Sequence, residues 1–184
     1  LDRLVTVDPH LHRIDSLDEI YSIPTRVIHA APAISGWIRD NVKDPLLIGP
    51  DRESAQWVSE VAERVGAPHL VLEKVRRGDR EVKVLLPESD LLRERTPILL
   101  DDIVSTARTL IETIGHLARR GLPKPICIAI HPVFAGRADD DLKEAGADRV
   151  VTCNTIAHPT NAIDLSGLLA GALRETERDE AEGE

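Results

Sequence analysis

Residues 97–112 read PILLDDIVSTARTLIE. Four apolar residues run into two adjacent carboxylates, Asp101 and Asp102, and a hydroxyl-bearing turn follows with Ser105, Thr106 and Thr109. Adjacent acids at the end of a buried strand are costly unless something pairs with them. A strand ending here delivers both carboxylates to a sheet edge. The turn 103–109 then opens a helix, so backbone N–H groups and three hydroxyls can converge on an anion. The phosphate of a sugar phosphate fits that cradle, and the carboxylates fit sugar hydroxyls directly or through Mg²⁺. Asp102 and Ser105 taken alone also serve as helix-capping residues. The complete strand–DD–x-x–STxxT–helix string argues for a ligand.

Other chemistry-bearing residues follow apolar runs. His10 and His12 come after RLVTV (3–7), with Asp8 nearby, and Asp51 comes after LLIG (46–49). In isolation either histidine reads as a hydrogen-bonded surface residue and Asp51 as a helix N-cap. The stretch 74–87, KVRRGDREVKVLLP, is strongly basic within an acidic chain. Its Gly-Asp pair lies between alternating residues, which predicts a hairpin flap. Arg77, Arg80 and Lys83 in it read as surface charges. His131 and the PVFAG turn end another apolar run; they either line a ligand or serve the fold. No G-x-x-x-x-G-K-[ST] phosphate loop, zinc-ligand spacing or nucleophile–base pair for acyl transfer is present. Cys127 and Cys153 sit in apolar runs, PICIAI and VVTCNTI, and read as buried free thiols.

The elements that must position these groups alternate. Strands are predicted at 3–7, 46–49, 69–73, 98–101, 126–130 and 149–153. Helices are predicted at 31–42, 51–65, 106–120, 137–146 and 162–175. Asp51 and Ser105 or Thr106 are the expected N-caps, and Gly66 and Gly121 fall where C-terminal caps belong. The pattern predicts an α/β fold: a mainly parallel sheet flanked by helices, with the basic flap inserted. Ligands in that architecture bind beyond the carboxyl ends of strands, where the residues above lie.

Composition sets the outer bounds. The 184 residues suit one domain, and aromatics are 2%, so the core is built from Leu, Ile, Val and Ala. The net charge of −9 argues against a nucleic-acid partner. The segment 175–184, ETERDEAEGE, reads as a solvated, frayed tail. The longest apolar runs are too short to span a membrane, and a cytoplasmic location is expected. The chain opens at Leu1, contains no Met and enters a strand at once, which suggests part of a longer polypeptide.

ILLDDIVSTARTL resembles the phosphoribosyl pyrophosphate (PRPP) binding motif of type I phosphoribosyltransferases and ribose-phosphate diphosphokinases. Further stretches are similar, in order, to the second group: VTVDPHLHR, LLIGPDRESAQWV, LEKVRRGDREV, AIHPVFAG, VTCNTI and IDLSGLLAGAL. The resemblance covers 1–174 and corresponds to that family's C-terminal half. It implies a type I phosphoribosyltransferase-like fold, Mg²⁺ as cofactor, ATP and ribose 5-phosphate as substrates, and a homo-oligomer. It also implies roles: Lys74 and Arg76 as catalytic groups; Asp101, Asp102, Ser105, Thr106, Ala107, Arg108 and Thr109 for the ribose phosphate; His10 and Asp51 for the metal. The chain departs from the family where two glycines give way to Ala107 and Arg108. Arg108 adds a cation for phosphate, and Ala107 fits if its φ stays negative. Two other readings use the same fold: a phosphoribosyltransferase that consumes PRPP, and a non-catalytic regulatory relative of the synthetases.

Overall fold

The computed structural model describes all residues except 12, 13, 15, 53, 78–80, 86–90 and 183–184, and only the backbone of 73–77, 81–85 and 176–182. The elements run β1 (Leu4–Val7), a 3-10 turn (Leu17–Glu19), β2 (Thr25–Ile28), α1 (Ala31–Asn41), β3 (Pro45–Gly49), α2 (Ala55–Val65) and β4 (His69–Val71). They continue with β5 (Glu73–Arg77), β6 (Glu81–Leu85), α3 (Leu91–Glu94), β7 (Thr96–Ile103), α4 (Arg108–Arg119) and β8 (Ile126–His131). The last are α5 (Ala138–Ala145), β9 (Arg149–Cys153), β10 (Asn161–Ile163) and α6 (Ser166–Glu182).

Six strands form one parallel sheet in the order β10-β9-β8-β7-β3-β4. Its central strands are apolar at consecutive positions because both faces are covered. Ile98 and Leu100 of β7 join Ile126, Ile128 and Ile130 of β8 in a core closed by Ile34 and Ile38 of α1 and Val58 and Val61 of α2. Leu99 and Cys127 point the other way, onto Leu110, Ile114 and Leu117 of α4 and Leu142 of α5. Each such side chain contributes roughly 1.5–3 kcal/mol by leaving water. Gly66 and Gly121 end α2 and α4 with φ of 73° and 65°, the left-handed geometry expected of them.

The α/β architecture is as expected, and the structure differs from the sequence reading in several details. β1 does not join the main sheet; it pairs with β2 in a separate two-stranded parallel sheet. The expected strand 69–73 divides at Leu72, leaving β4 in the main sheet and β5 in an antiparallel hairpin with β6. That hairpin stands where the flap is expected, and the expected Gly-Asp turn falls on residues outside those described. Helix α2 begins at Ala55 rather than at Asp51, and the residue before α4 is Ala107 rather than a hydroxyl cap. The segment from 162 first adds edge strand β10; α6 starts at Ser166 and continues to Glu182, into the acidic stretch read as a tail. β2, β10 and α3 are three or four residues long, too short to carry a period.

Candidate active site

The strand order places a reversal between β3 and β7. From β7 the chain winds outward through β8, β9 and β10, and from β3 it winds the other way to β4. A crevice opens at the carboxyl ends of the two strands flanking such a reversal. Asp51 follows β3, and Asp101 and Asp102 lie near the end of β7. A cavity of about 310 Å³ occupies this position, lined by His10, Asp51, Ser54, Asp101, Asp102 and Ile103.

Asp102 is 6% exposed. Its Oδ1 accepts the Ile103 N–H at 2.8 Å, and its Oδ2 lies 2.5 Å from His10 Nδ1. A carboxylate accepts only, so the imidazole donates Nδ1–H, and in its neutral form the ring carries the lone pair on Nε2. That is the arrangement in which a histidine ligates a metal while a carboxylate orients it. Asp101 accepts the Asp102 N–H at 3.2 Å and is half-buried in the same cavity.

Asp51 is held by a reciprocal turn. Its Oδ1 accepts the Ser54 N–H at 3.2 Å, while the Ser54 hydroxyl donates to the Asp51 carbonyl at 2.6 Å. Ser54 is 3% exposed. Sequence reasoning missed Ser54, although the Asp-x-x-Ser spacing is a recognisable signature of such local bonding.

A second cavity of about 200 Å³ adjoins the first through Asp101 and Ile103, and is lined further by residues 104–110. The predicted phosphate residues Ser105, Thr106, Ala107, Arg108 and Thr109 are thus brought together. Ser105, Thr106 and Arg108 are exposed, and Arg108 is the first residue of α4. Ala107 overturns the condition placed on it: its φ is 56° and ψ 9°, a left-handed conformation. That conformation costs an L-residue about 1–2 kcal/mol, offset in part because the methyl is buried among Val104 and Leu110. Ala107→Gly removes the strain and the buried methyl together. Its expected effect on urea-unfolding stability is therefore below about 1 kcal/mol in either direction.

Lys74 and Arg76 lie on β5, paired in backbone register with Val84 and Val82; their side chains lie outside the described residues, as does His12.

Asp8 is not a cavity residue. It is fully buried, with φ 34°. Its carboxylate accepts the Ala30 N–H at 2.7 Å, at the start of α1, and faces His29 Nδ1 at 2.8 Å. Burial raises its pKa above the ordinary 3.8, and the Ala30 N–H and His29 pull it back only in part. The folded state then holds a proton more tightly than the unfolded state. Stability contributed through Asp8 is fully present below about pH 3.8 and is lost as pH rises through the higher folded value. Asp8→Asn keeps an acceptor for Ala30 and does not titrate. Urea unfolding followed from about pH 3.5 to about 6 is expected to show that decline in the parent relative to the variant.

Burial pushes the thiols of Cys127 and Cys153 up to about 12, so both are inert as nucleophiles.

Residues 16–166 match the phosphoribosyl transferase domain family model. The chain belongs to this family. Its structure is similar to phosphoribosylpyrophosphate synthetase from Mycobacterium smegmatis, with a TM-score of 0.80 and 25% identity, over 97% of this chain and 59% of that one. The chain therefore spans under two thirds of that synthetase. Two transferases share the fold at lower similarity. Orotate phosphoribosyltransferase from Aeropyrum pernix matches at TM-score 0.51 and 20% identity, over 67% of each chain. APRTase from Giardia lamblia matches at TM-score 0.53 and 13% identity, over 67% of this chain and 75% of that one. No helix among the described residues is long and apolar enough to cross a membrane.

Proposed function

We propose that the chain is the C-terminal domain of a ribose-phosphate diphosphokinase, which transfers diphosphate from ATP to ribose 5-phosphate and gives PRPP and AMP. The observation that carries this reading is the paired cavity at the β3–β7 reversal. Carboxylates and His10 line one chamber, and the hydroxyl-rich turn lines the adjoining one. The likeness to a synthetase across 97% of the chain favours it over a base-using transferase.

In the reaction the ribose 1-hydroxyl oxygen forms a bond to the β-phosphorus of ATP. The bond from that phosphorus to the α–β bridging oxygen breaks, AMP leaves with the bridging oxygen, and the hydroxyl proton is released. Such a transfer depends on positioning and charge neutralisation. Ser105, Thr106 and Thr109, the backbone N–H groups of the turn and Arg108 hold the 5-phosphate. Asp101 and Asp102 hold the ribose hydroxyls. Lys74 and Arg76, carried on the hairpin, neutralise the phosphoryl oxygens.

The Asp51 carboxylate suits Mg²⁺, which takes one or two carboxylates and fills its remaining positions with water and phosphate oxygens, whereas a histidine nitrogen is an unusual ligand for it. Asp51 offers a carboxylate and His10 its Nε2 lone pair in the same cavity. When bound, the ion would neutralise charge on the phosphate oxygens. The subunits act as a homo-oligomer in this reading, and the part of the synthetase that this chain does not span helps to form the ATP site.

Calorimetry with ribose 5-phosphate and Mg²⁺ tests the site directly. The expected dissociation constant is roughly micromolar to millimolar, weakened at least about tenfold in Asp101→Asn by loss of a charged acceptor. Heat absent from the parent titration would defeat the reading. Diphosphate release from PRPP and a free base would replace it with a phosphoribosyltransferase.

A further inference from the structure

Between the two chambers and the small β1–β2 sheet stands His131, the last residue of β8. Its backbone and side chain bond in three directions. The carbonyl accepts the Val104 N–H at 3.1 Å, at the entry to the phosphate turn, and the Val133 N–H at 2.9 Å. Ring Nε2 lies 3.2 Å from the Asp8 carbonyl oxygen, which can only accept, so Nε2 carries a proton and donates it. Ring Nδ1 then carries the lone pair and accepts the Thr155 hydroxyl proton at 3.1 Å, with Oγ1 also lying 2.9 Å from the Ile130 carbonyl oxygen. A second tie to the phosphate turn, Ala135 N–H to the Ser105 carbonyl at 3.1 Å, comes from the segment after His131.

The Asp8 end of this bond matters most. Asp8 is held left-handed by its own carboxylate on Ala30 and His29, and its carbonyl begins the short link through Pro9 to His10. β1 has no strand partner in the main sheet. Side-chain bonds, together with the packing of Val7 on the core, therefore set where its carboxyl end sits relative to β7. His131 supplies one from strand β8, and His10 supplies another through Asp102.

We infer that His131, braced by Thr155, is a positioning residue that registers the Asp8–His10 segment against the carboxyl edge of the sheet and so aims the His10 ring into the cavity. His131 does not line either cavity and acts through His10. The inference rests on assigning His10 to the metal side of the proposed site, and its test is built to separate the two.

The variants are His131→Leu, His131→Gln and Thr155→Val. The first readout is the tautomer of the His10 ring, followed by long-range ¹⁵N NMR on the chain without ligand. The parent is expected to show a fixed Nδ1–H tautomer. His131→Leu is expected to average it, and His131→Gln, whose amide can still donate to the Asp8 carbonyl, to restore it. The second readout is Mn²⁺ affinity by electron paramagnetic resonance, expected to fall about tenfold in His131→Leu. Ribose 5-phosphate affinity without metal is expected to stay within about twofold, which a general loss of structure would not allow. An unchanged His10 tautomer in folded His131→Leu overturns the inference. If that variant does not fold, Thr155→Val decides: partial averaging supports the inference, and the parent tautomer overturns it. Failure of the parent to bind Mn²⁺ would strike the metal assignment alone, because the tautomer readout needs no metal.

Discussion

Asp102→Asn is expected to lower Mn²⁺ affinity at the proposed metal site about 100-fold. The reason is a proton count. Asp102 accepts on both oxygens, from Ile103 N–H and from His10 Nδ1–H. Asparagine has one oxygen and one NH₂ group. If the oxygen stays on Ile103, the NH₂ faces His10, and the ring must surrender its Nδ1 proton and carry it on Nε2. The lone pair then turns toward the asparagine and away from any metal. If the amide flips, the NH₂ meets the Ile103 N–H, and a buried donor goes unpaired at about 1–3 kcal/mol. Mn²⁺ titration with the ¹⁵N signature of His10 reads the two cases apart: the first shows Nε2–H, the second keeps Nδ1–H with reduced stability. Affinity within threefold of the parent would remove His10 from the metal side.

Gly49→Val destabilises the chain by about 3 kcal/mol, the upper end for overpacking a filled core. Strand propensity alone predicts the opposite sign, because valine favours strands. A Cβ on Gly49 would stand 2.5 Å from Ser54 Oγ and 3.3 Å from Val58 Cγ2. Ser54 cannot step aside freely, since its hydroxyl is bonded to the Asp51 carbonyl and its N–H to the Asp51 carboxylate. The clash therefore reaches Asp51, and Mn²⁺ affinity at the proposed site is expected to fall with stability. Urea denaturation should show a lower midpoint with an unchanged slope. A midpoint equal to the parent's would mean that the Gly49–Ser54 approach is not a tight contact in solution.

The residues 98–109 show how far local sequence reaches. Strand, acid pair, turn and helix are contiguous there, so their order dictates that the carboxylates stand beside the turn. The apolar runs 97–100 of β7 and 126–130 of β8 are equally legible, because burial on two sides leaves no polar position within them. Gly66 and Gly121 declare their caps by lacking a Cβ. Asp51 is different. Nothing near it says that β3 lies beside β7, and only that strand order sets it across the crevice from Asp101. His10 and Asp102 are 92 positions apart, and their bond depends on where β1 is placed once it pairs with β2 outside the main sheet. Ala107 reads as a residue best kept at negative φ, yet the turn holds it at 56° because its methyl is buried. By itself, then, the sequence determined the longer elements, the α/β class and the groups proposed to bind a sugar phosphate, all consequences of local period and adjacency. The tertiary structure decided which of those groups meet, because strand pairing and left-handed turns are selected by packing between segments distant in the chain.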